Sequence, residues 1–383
     1  MSTATAPHAA PRVPSRVAFH DLRDLHAADE VRHDVEAALL RVAASGRYLL
    51  GPELEAFEAA FAAYCGASHC VGTGTGLAAL ELTLRALGVG PGDEVVVPGH
   101  TFIATWLAVS AVGARPVPVE PAPGTFLIDP DRIDAACTPR TRAIMPVHTY
   151  GHPVDLDAVT EVAARRGLYV VEDAAQAHGA RYRGRRIGSG YAAAFSFYPG
   201  KNLGALGDGG AVVTNDPELA ARIRLLGNYG SRRKYEHEEL GTNSRLAEMQ
   251  AAVLAVKLPL LDAWNARRAR VARRYTEELA GLPGLTLPAV ETWARPVWHQ
   301  YVVRAGDRDA LQRALAAAGV ETLVHYPVPV HRSPAYAGTH DGALPQCERL
   351  AAEVLSLPMG PQLSDDDVAS VIAAVRDALE ATR

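Results

Sequence analysis

Between residues 69 and 226 the chain alternates short apolar runs with helical patterns, and this alternation constrains the fold more than any other feature. His69–Gly72, Glu94–Pro98, Pro116–Val119, Ala143–Val147, Leu168–Val171, Ala192–Phe195 and Ala211–Thr214 read as strands. Continuous apolar runs of this length suit strands buried on both faces, as in a mainly parallel sheet between helices. Helical spacing intervenes at Leu77–Leu87, from Phe102 through Trp106 to Val109, and at Pro217–Leu226. The expected class is α/β. Open α/β sheets bind ligands outside the carboxyl ends of their strands, so the chemistry is sought in the residues after each strand.

Two strands end in such residues. Leu168–Val171 delivers Glu172 and Asp173, followed by Ala174, Ala175, Gln176, Ala177 and His178. Ala192–Phe195 runs into Ser196-Phe197-Tyr198-Pro199-Gly200 and presents Lys201, 28 positions beyond Asp173 (201 − 173). A lysine held among apolar strands and turn residues is costly to desolvate, so its pKa falls and it becomes a Schiff-base nucleophile. Taken singly, Lys201 also reads as a loop lysine with its head in water, and Asp173 as a helix N-cap. Taken together they match the lysine and the pyridinium-pairing carboxylate that bind pyridoxal phosphate. Thr73-Gly74-Thr75-Gly76 turns into the helix at Leu77, and free N–H groups converge at such a turn to make an anion cup. Gly72 and Gly74 open a dinucleotide-type fingerprint, but Leu77 stands in place of the third glycine and no Walker lysine follows, which leaves a generic phosphate cup or a plain strand–helix turn. Ser196 supplies a hydroxyl to the same phosphate. Phe102 either stacks on a flat cofactor ring or fills the core.

The flanking segments are read more simply. Asp24–Ser45 and Pro52–Tyr64 form helices ahead of the first strand, and Ala247–Arg274 is helical with a break at Pro259. Strand signals at Tyr301–Val303 and Thr322–Val324, with helices at Asp309–Ala318 and Glu348–Leu355, indicate a smaller domain. The expected organisation is a disordered leader over 1–17, N-terminal helices and a large domain over 18–265, and a small domain over 266–383. His325-Tyr326-Pro327-Val328-Pro329-Val330-His331 is either a polar substrate wall or a rigid surface turn. The basic stretch Gly227–Tyr235 is a solvated face or a diphosphate contact. His148, His152 and Asp155 have a metal-like composition but no third-ligand spacing, so no metal is expected. The net charge of −5, from 38 Lys+Arg against 43 Asp+Glu, asks for neither nucleic acid nor an anionic membrane. Cys65, Cys70, Cys137 and Cys347 form no CxxC pair, and reduced thiols in a cytoplasmic protein are expected. Residues 1–17 contain no signal-peptide h-region, and no apolar run is long enough to span a bilayer.

The stretches Glu172-Asp173-Ala174-Ala175-Gln176-Ala177-His178-Gly179-Ala180 and Ser196–Gly204, with Asn228-Tyr229-Gly230-Ser231, Gly241–Leu246 and His325-Tyr326-Pro327, resemble the DegT/DnrJ-type sugar aminotransferases. These are fold-type I pyridoxal phosphate enzymes of the aspartate aminotransferase type. The resemblance runs from Asp21 to the C-terminus and is nearest to the TDP-3-keto-6-deoxyhexose 3-aminotransferases of macrolide desosamine and mycaminose pathways. It implies a seven-stranded, mainly parallel sheet in the large domain and an α+β C-terminal domain. It implies Lys201 as the Schiff-base lysine and proton carrier, Asp173 as the pyridinium partner and Gln176 at the ring hydroxyl. Ser196 and the amides near Gly76 and Leu77 then hold the phosphate, and Phe102 stacks on the ring. Asn243 reaches the phosphate of a neighbouring subunit, which makes the enzyme a homodimer with shared sites. Tyr198, His325, Tyr326 and His331 are the implied sugar-nucleotide contacts.

The implied reaction moves an amino group from L-glutamate, or alternatively glutamine, through pyridoxamine phosphate to C3 of the TDP-linked keto-sugar. The same chemistry at C4 and a non-catalytic regulator on the same fold are the alternatives. A dehydratase of this fold is disfavoured by Lys201, because that branch carries histidine there. A Rossmann dehydrogenase is disfavoured by Leu77. Two departures from the family pattern stand out. Leu77 replaces a common threonine, and Gly188-Ser189-Gly190-Tyr191 is one residue shorter than usual.

Overall fold

The computed structural model describes residues 16–23, 30–340 and 342–381. The expected helix start at Asp24 and most of the expected leader lie outside these residues. Seven strands form the central sheet: β1 (His69–Thr73), β2 (Glu94–Pro98), β3 (Arg115–Val119), β4 (Thr141–Ile144), β5 (Tyr169–Asp173), β6 (Ala192–Ser196) and β7 (Gly210–Thr214). Their order is β1-β7-β6-β5-β4-β2-β3. β7 runs antiparallel to both of its neighbours, and every other adjacent pair is parallel. The α/β class read from the apolar runs is the class observed.

Side chains alternate along each strand, and both faces of the sheet are covered. The helices up to the small unit are α1 (Arg32–Ser45), α2 (Pro52–Cys65), α3 (Gly76–Ala86), α4 (Ala104–Ala111), α5 (Pro130–Ala136), α6 (Leu156–Arg166), α7 (Pro217–Gly227), α8 (Glu248–Lys257) and α9 (Leu261–Glu278). On one face Val95, Val97, Ala192 and Ala194 pack with Leu80 and Leu84 of α3, Trp106 and Val109 of α4, and Ile223 of α7. On the other, Ala193, Phe195 and Val213 meet Phe57 and Phe61 of α2 and Leu254 of α8, while Val96 and Ile144 meet α5 and α6. Phe61 makes edge contacts with Phe195 at 5.1 Å and Phe197 at 5.3 Å. Asp129, Asp155 and Asp216 cap α5, α6 and α7, each satisfying N–H groups that a helix start leaves open. The helical stretch broken at Pro259 is α8, a 3-10 turn over Leu258–Leu260, and α9.

The smaller unit contains β8 (Leu285–Thr286), β9 (Tyr301–Ala305) and β10 (Val354–Leu357), with α10 (Arg308–Ala317), α11 (Pro345–Glu353) and α12 (Asp365–Ala381). β9 lies between the other two strands, antiparallel to both. Its core joins Tyr301, Val303, Leu315, Leu355, Val371 and Tyr275. α9 enters both cores: Leu261 packs in the large one, and Val271, Ala272 and Tyr275 pack in the small one. The 265/266 boundary falls within that helix. Two expectations differ in detail. Thr322–Val324 forms only a single bridge, Leu323 to Ser356. The helix read as Glu348–Leu355 ends at Glu353, because Val354–Leu357 pairs with β9. Val17, within the leader range, is buried and bridges Val320. No helix among the described residues is long and apolar enough to cross a membrane.

Candidate active site

β5 carries Asp173 to the carboxyl end of the sheet centre. Its backbone is fixed on both sides: Asp173 N–H donates to Pro146 O at 2.8 Å, and His148 N–H donates to Asp173 O at 3.1 Å. The carboxylate is buried. Thr105 of α4 donates its hydroxyl to Oδ2 at 2.8 Å, Thr101 lies 2.9 Å behind that hydroxyl, and Ala175 N–H donates to Oδ1 at 3.1 Å. Burial raises the Asp173 pKa, while these two donors and the Lys201 charge favour the ionised form.

β6 ends at Ser196, and a tight loop then presents Lys201. Lys201 N–H donates to Tyr198 O at 2.8 Å, Phe197 N–H to Gly209 O at 2.8 Å, and Ala205 N–H to Phe197 O at 2.9 Å. The loop is also held at Gly204 O, which accepts from Lys257 Nζ at 2.9 Å. Desolvation pulls Lys201 down to about 8, opposed by the Asp173 charge. Three imidazoles near this lysine are kept neutral mainly by burial. His178 is pushed down to about 3 and His325 to about 4, and His299 falls well below its ordinary value, with the Lys201 charge adding to each. His178 is enclosed by Phe195 and Phe197.

The start of α3 closes the site on the β6 side. Thr75 caps the helix, its Oγ1 accepting from Ala78 N–H at 2.9 Å. The first amides, at Gly76 and Leu77, have no acceptor within the helix. A Cβ on Gly76 would sit 2.6 Å from Ser196 Cβ, so only glycine allows this helix end to meet Ser196. Leu77 turns its side chain to the core. The two amides and the Ser196 hydroxyl thus share one place, near the buried Asp173 carboxylate and the part-buried Lys201. This donor set suits a flat cationic ring bearing a phosphate, and pyridoxal phosphate fits that description.

Other predicted residues fall into three groups. Gln176 is tied on both sides: its Oε1 accepts from Tyr150 N–H at 2.6 Å, and its Nε2 donates to Tyr326 OH at 3.0 Å. Tyr326 lies 5.6 Å from the half-exposed ring of Phe102, and His325 Nδ1 contacts Ser356 Oγ at 2.8 Å. These residues gather on one wall. Tyr198 and Asn243 have exposed side chains, and Asn243 bridges Asn228. His331 is buried, with Nε2 at 3.1 Å from Glu348 Oε1. In the histidine–aspartate trio, His148 pairs with Glu172 at 3.0 Å, while Asp155 caps α6 and accepts from Tyr182 OH at 2.7 Å. Among the described residues no group of three metal-ligating side chains is assembled.

Sequence reasoning did not find Thr105, Tyr150 or His299. Thr105 is 68 positions from Asp173. Tyr150 receives His100 Nε2 at 2.7 Å and donates its hydroxyl to His325 O, so it joins the β2 end to the small unit. No local signal marks such contacts.

Comparisons with known proteins identify relatives over nearly the whole chain. The model of the DegT/DnrJ/EryC1/StrS aminotransferase family matches residues 29–376. The dTDP-3-amino-3,4,6-trideoxy-alpha-D-glucose transaminase of Streptomyces venezuelae is 61% identical over 365 residues, covering 94% of this chain and 96% of that protein. The erythromycin biosynthesis sensory transduction protein EryC1 of Saccharopolyspora erythraea is 62% identical over 363 residues, covering 94% and 99%. The crystal structure of S. venezuelae DesV in complex with a ketimine intermediate superposes with a TM-score of 0.94 at 61% identity, covering 95% of this chain and 99% of that one. Matched by its model over residues 29–376, this chain belongs to the DegT/DnrJ/EryC1/StrS aminotransferase family.

Proposed function

We propose that this chain transfers an amino group from L-glutamate to the C3 keto group of a TDP-linked 3-keto-6-deoxyhexose, with pyridoxal phosphate as its cofactor. The observation that carries the reading is the partly buried Lys201, lowered to about 8, on the loop opposite the buried Asp173, in a chain 61% identical to a dTDP-3-amino-sugar transaminase. When bound, pyridoxal phosphate supplies an electron sink and carries the amino group between the two substrates.

The chain's own groups do the rest. Lys201 Nζ would hold the cofactor and would move the substrate's Cα proton, because its lowered pKa brings it near neutral pH. Asp173, oriented by Thr105 and the Ala175 amide, stabilises positive charge on the ring nitrogen. The Gly76 and Leu77 amides and Ser196 Oγ orient the phosphate at the positive end of α3. Phe102 covers one face of the ring, and Gln176 addresses its hydroxyl. Tyr198, His325, Tyr326 and His331 are assigned to the sugar nucleotide.

A second copy of the chain completes the site. Tyr48, Leu49, Leu50, Tyr229 and Leu240 are exposed apolar residues on segments joined by the Leu49–Ala247 and Asn228–Asn243 bridges. Such a patch favours association, and it carries Asn243 toward the phosphate of the partner. Sedimentation velocity of the purified protein is expected to give a dimer; a monomer at micromolar concentration removes Asn243 from the site.

A spectrum tests the reaction. The cofactor-loaded protein is mixed with TDP-3-amino-6-deoxyhexose, then separately with the 4-amino isomer and with L-glutamate, and the lysine-bound cofactor band is followed. Loss with glutamate and the 3-amino sugar is expected. Loss with the 4-amino sugar alone overturns C3, and loss with glutamate alone overturns the sugar. Absence of any band leaves a regulator.

A further inference from the structure

Residues 16–23 form a strap that touches both the small unit and the lysine loop. Val17 is buried in the small core. Its N–H donates to Gly319 O at 3.0 Å, and its O accepts from Glu321 N–H at 3.0 Å. The Glu321 carboxylate grips the strap in return, accepting from Arg16 Nε at 2.7 Å and Phe19 N–H at 3.1 Å. Beyond Val17 the strap turns to the active site. The Phe19 ring stands 5.8 Å from the His325 ring, tilted by 32°. His20 Cε1 lies 4.0 Å from where a Cβ on Gly200 would be, so its imidazole rests beside the residue before Lys201. On the other side of the lysine, His299 Nδ1 contacts Asn202 Oδ1, the residue after Lys201, at 3.1 Å. His20, His299 and His325 therefore surround Lys201 from three separate stretches, and Phe19 and His20 are only part-buried.

We propose that Phe19 and His20 form the outer wall of the acceptor-sugar subsite, with Phe19 against the apolar face of the pyranose and His20 hydrogen-bonded to a sugar hydroxyl. The inference rests on the function proposed above. Two observations choose the sugar over the amino-acid donor. First, the strap's cations are already matched, Arg16 by Glu321 and Arg23 by Asp21 at 3.3 Å, so the strap offers no fixed charge to a donor carboxylate. An aromatic ring beside an imidazole instead suits a hydroxylated ring with one apolar face. Second, a nucleotide sugar is long and must run from Lys201 outward past a part-exposed wall, whereas an amino acid is short enough to stay beside the lysine.

The test measures the two half-reactions separately in full-length, cofactor-loaded Phe19→Ala, Phe19→Leu, His20→Ala and His20→Gln proteins, with calorimetric affinity for the TDP-amino sugar as a second readout. The sugar half-saturation concentration is expected to rise about tenfold in Phe19→Ala and His20→Ala. That for L-glutamate stays within about twofold of wild type, as does its maximal rate. His20→Gln recovers most of the loss, and Phe19→Leu recovers part of it while keeping apolar volume for the fold. Equal loss for both substrates, or unchanged sugar affinity in all four proteins, overturns the proposal. If wild-type protein reacts with glutamate and no sugar, the proposed function itself fails, and that failure is seen in the wild type rather than in the variants.

Discussion

At the scale of single residues the site depends on charges placed where water is scarce. Burial pulls the Lys201 amine from its ordinary 10.5 down to about 8. Competitive acetylation of the cofactor-free protein, read by mass spectrometry, is expected to show Lys201 labelling with a midpoint near 8; a rate still climbing toward pH 10 would mean that burial does not depress it. The sign for stability follows. Between about 8 and 10.5 the unfolded chain holds a proton at this position that the folded chain has released, so this group favours folding increasingly as pH rises through that window. Asp173→Asn keeps the Thr105 contact and removes the charge. Turnover is expected to fall by about 10²–10³ with an unchanged melting profile, and near-wild-type turnover would remove Asp173 from the chemistry. Gly76→Ala forces a Cβ against Ser196. It should cost about 1–3 kcal/mol in urea denaturation and weaken retention of the cofactor phosphate on dialysis. Asp173 and Lys201 were legible because each follows an apolar strand. Thr105 was not, because its alignment with Asp173 arises only when α4 packs beside the sheet.

At the scale of elements, helix ends are satisfied by side chains distant in sequence. Glu248 is buried at the start of α8, yet its carboxylate accepts from the amides of Gly51, Glu53 and Leu54 at 2.8, 2.9 and 3.2 Å. It therefore caps α2 from outside that helix, which has no side-chain cap of its own. Glu248→Ala leaves those donors buried without an acceptor and should lower stability by about 2–4 kcal/mol in chemical denaturation; a change below about 0.5 kcal/mol would show that water replaces the carboxylate. The strands of the central sheet could be read from sequence because two buried faces demand uninterrupted apolar residues. β10 could not: Val354 and Leu355 continue the apolar side of α11, and only pairing with β9 makes them a strand. The Leu323 bridge shows the reverse case, a strand-like run with too little partner to form one.

At the scale of the whole molecule, α9 joins the two cores, and one buried cation on it ties them further. Arg268 is about 1% exposed and donates from Nη1 to Trp298 O, His299 O and Met359 O at 3.2, 3.4 and 3.3 Å. Burial pulls its guanidinium down to about 10, so it stays charged at neutral pH. Arg268→Met leaves three carbonyls without their donor and is expected to lower stability by about 3 kcal/mol and to separate urea unfolding of the two cores into two transitions. A single unshifted transition would assign the coupling to α9 alone. The strap has a different consequence, one of timing during synthesis. Arg16 and Glu321 are separated by 305 positions. At ~5–20 residues per second, translation of that interval occupies roughly 15–60 s. During it Phe19 and His20 have no small unit to dock on, while β1 to β7 are complete once Thr214 has been added. Phe19 and His20 thus reach their places beside His325 and Gly200 only after the strands that carry Asp173 and Lys201 have been made.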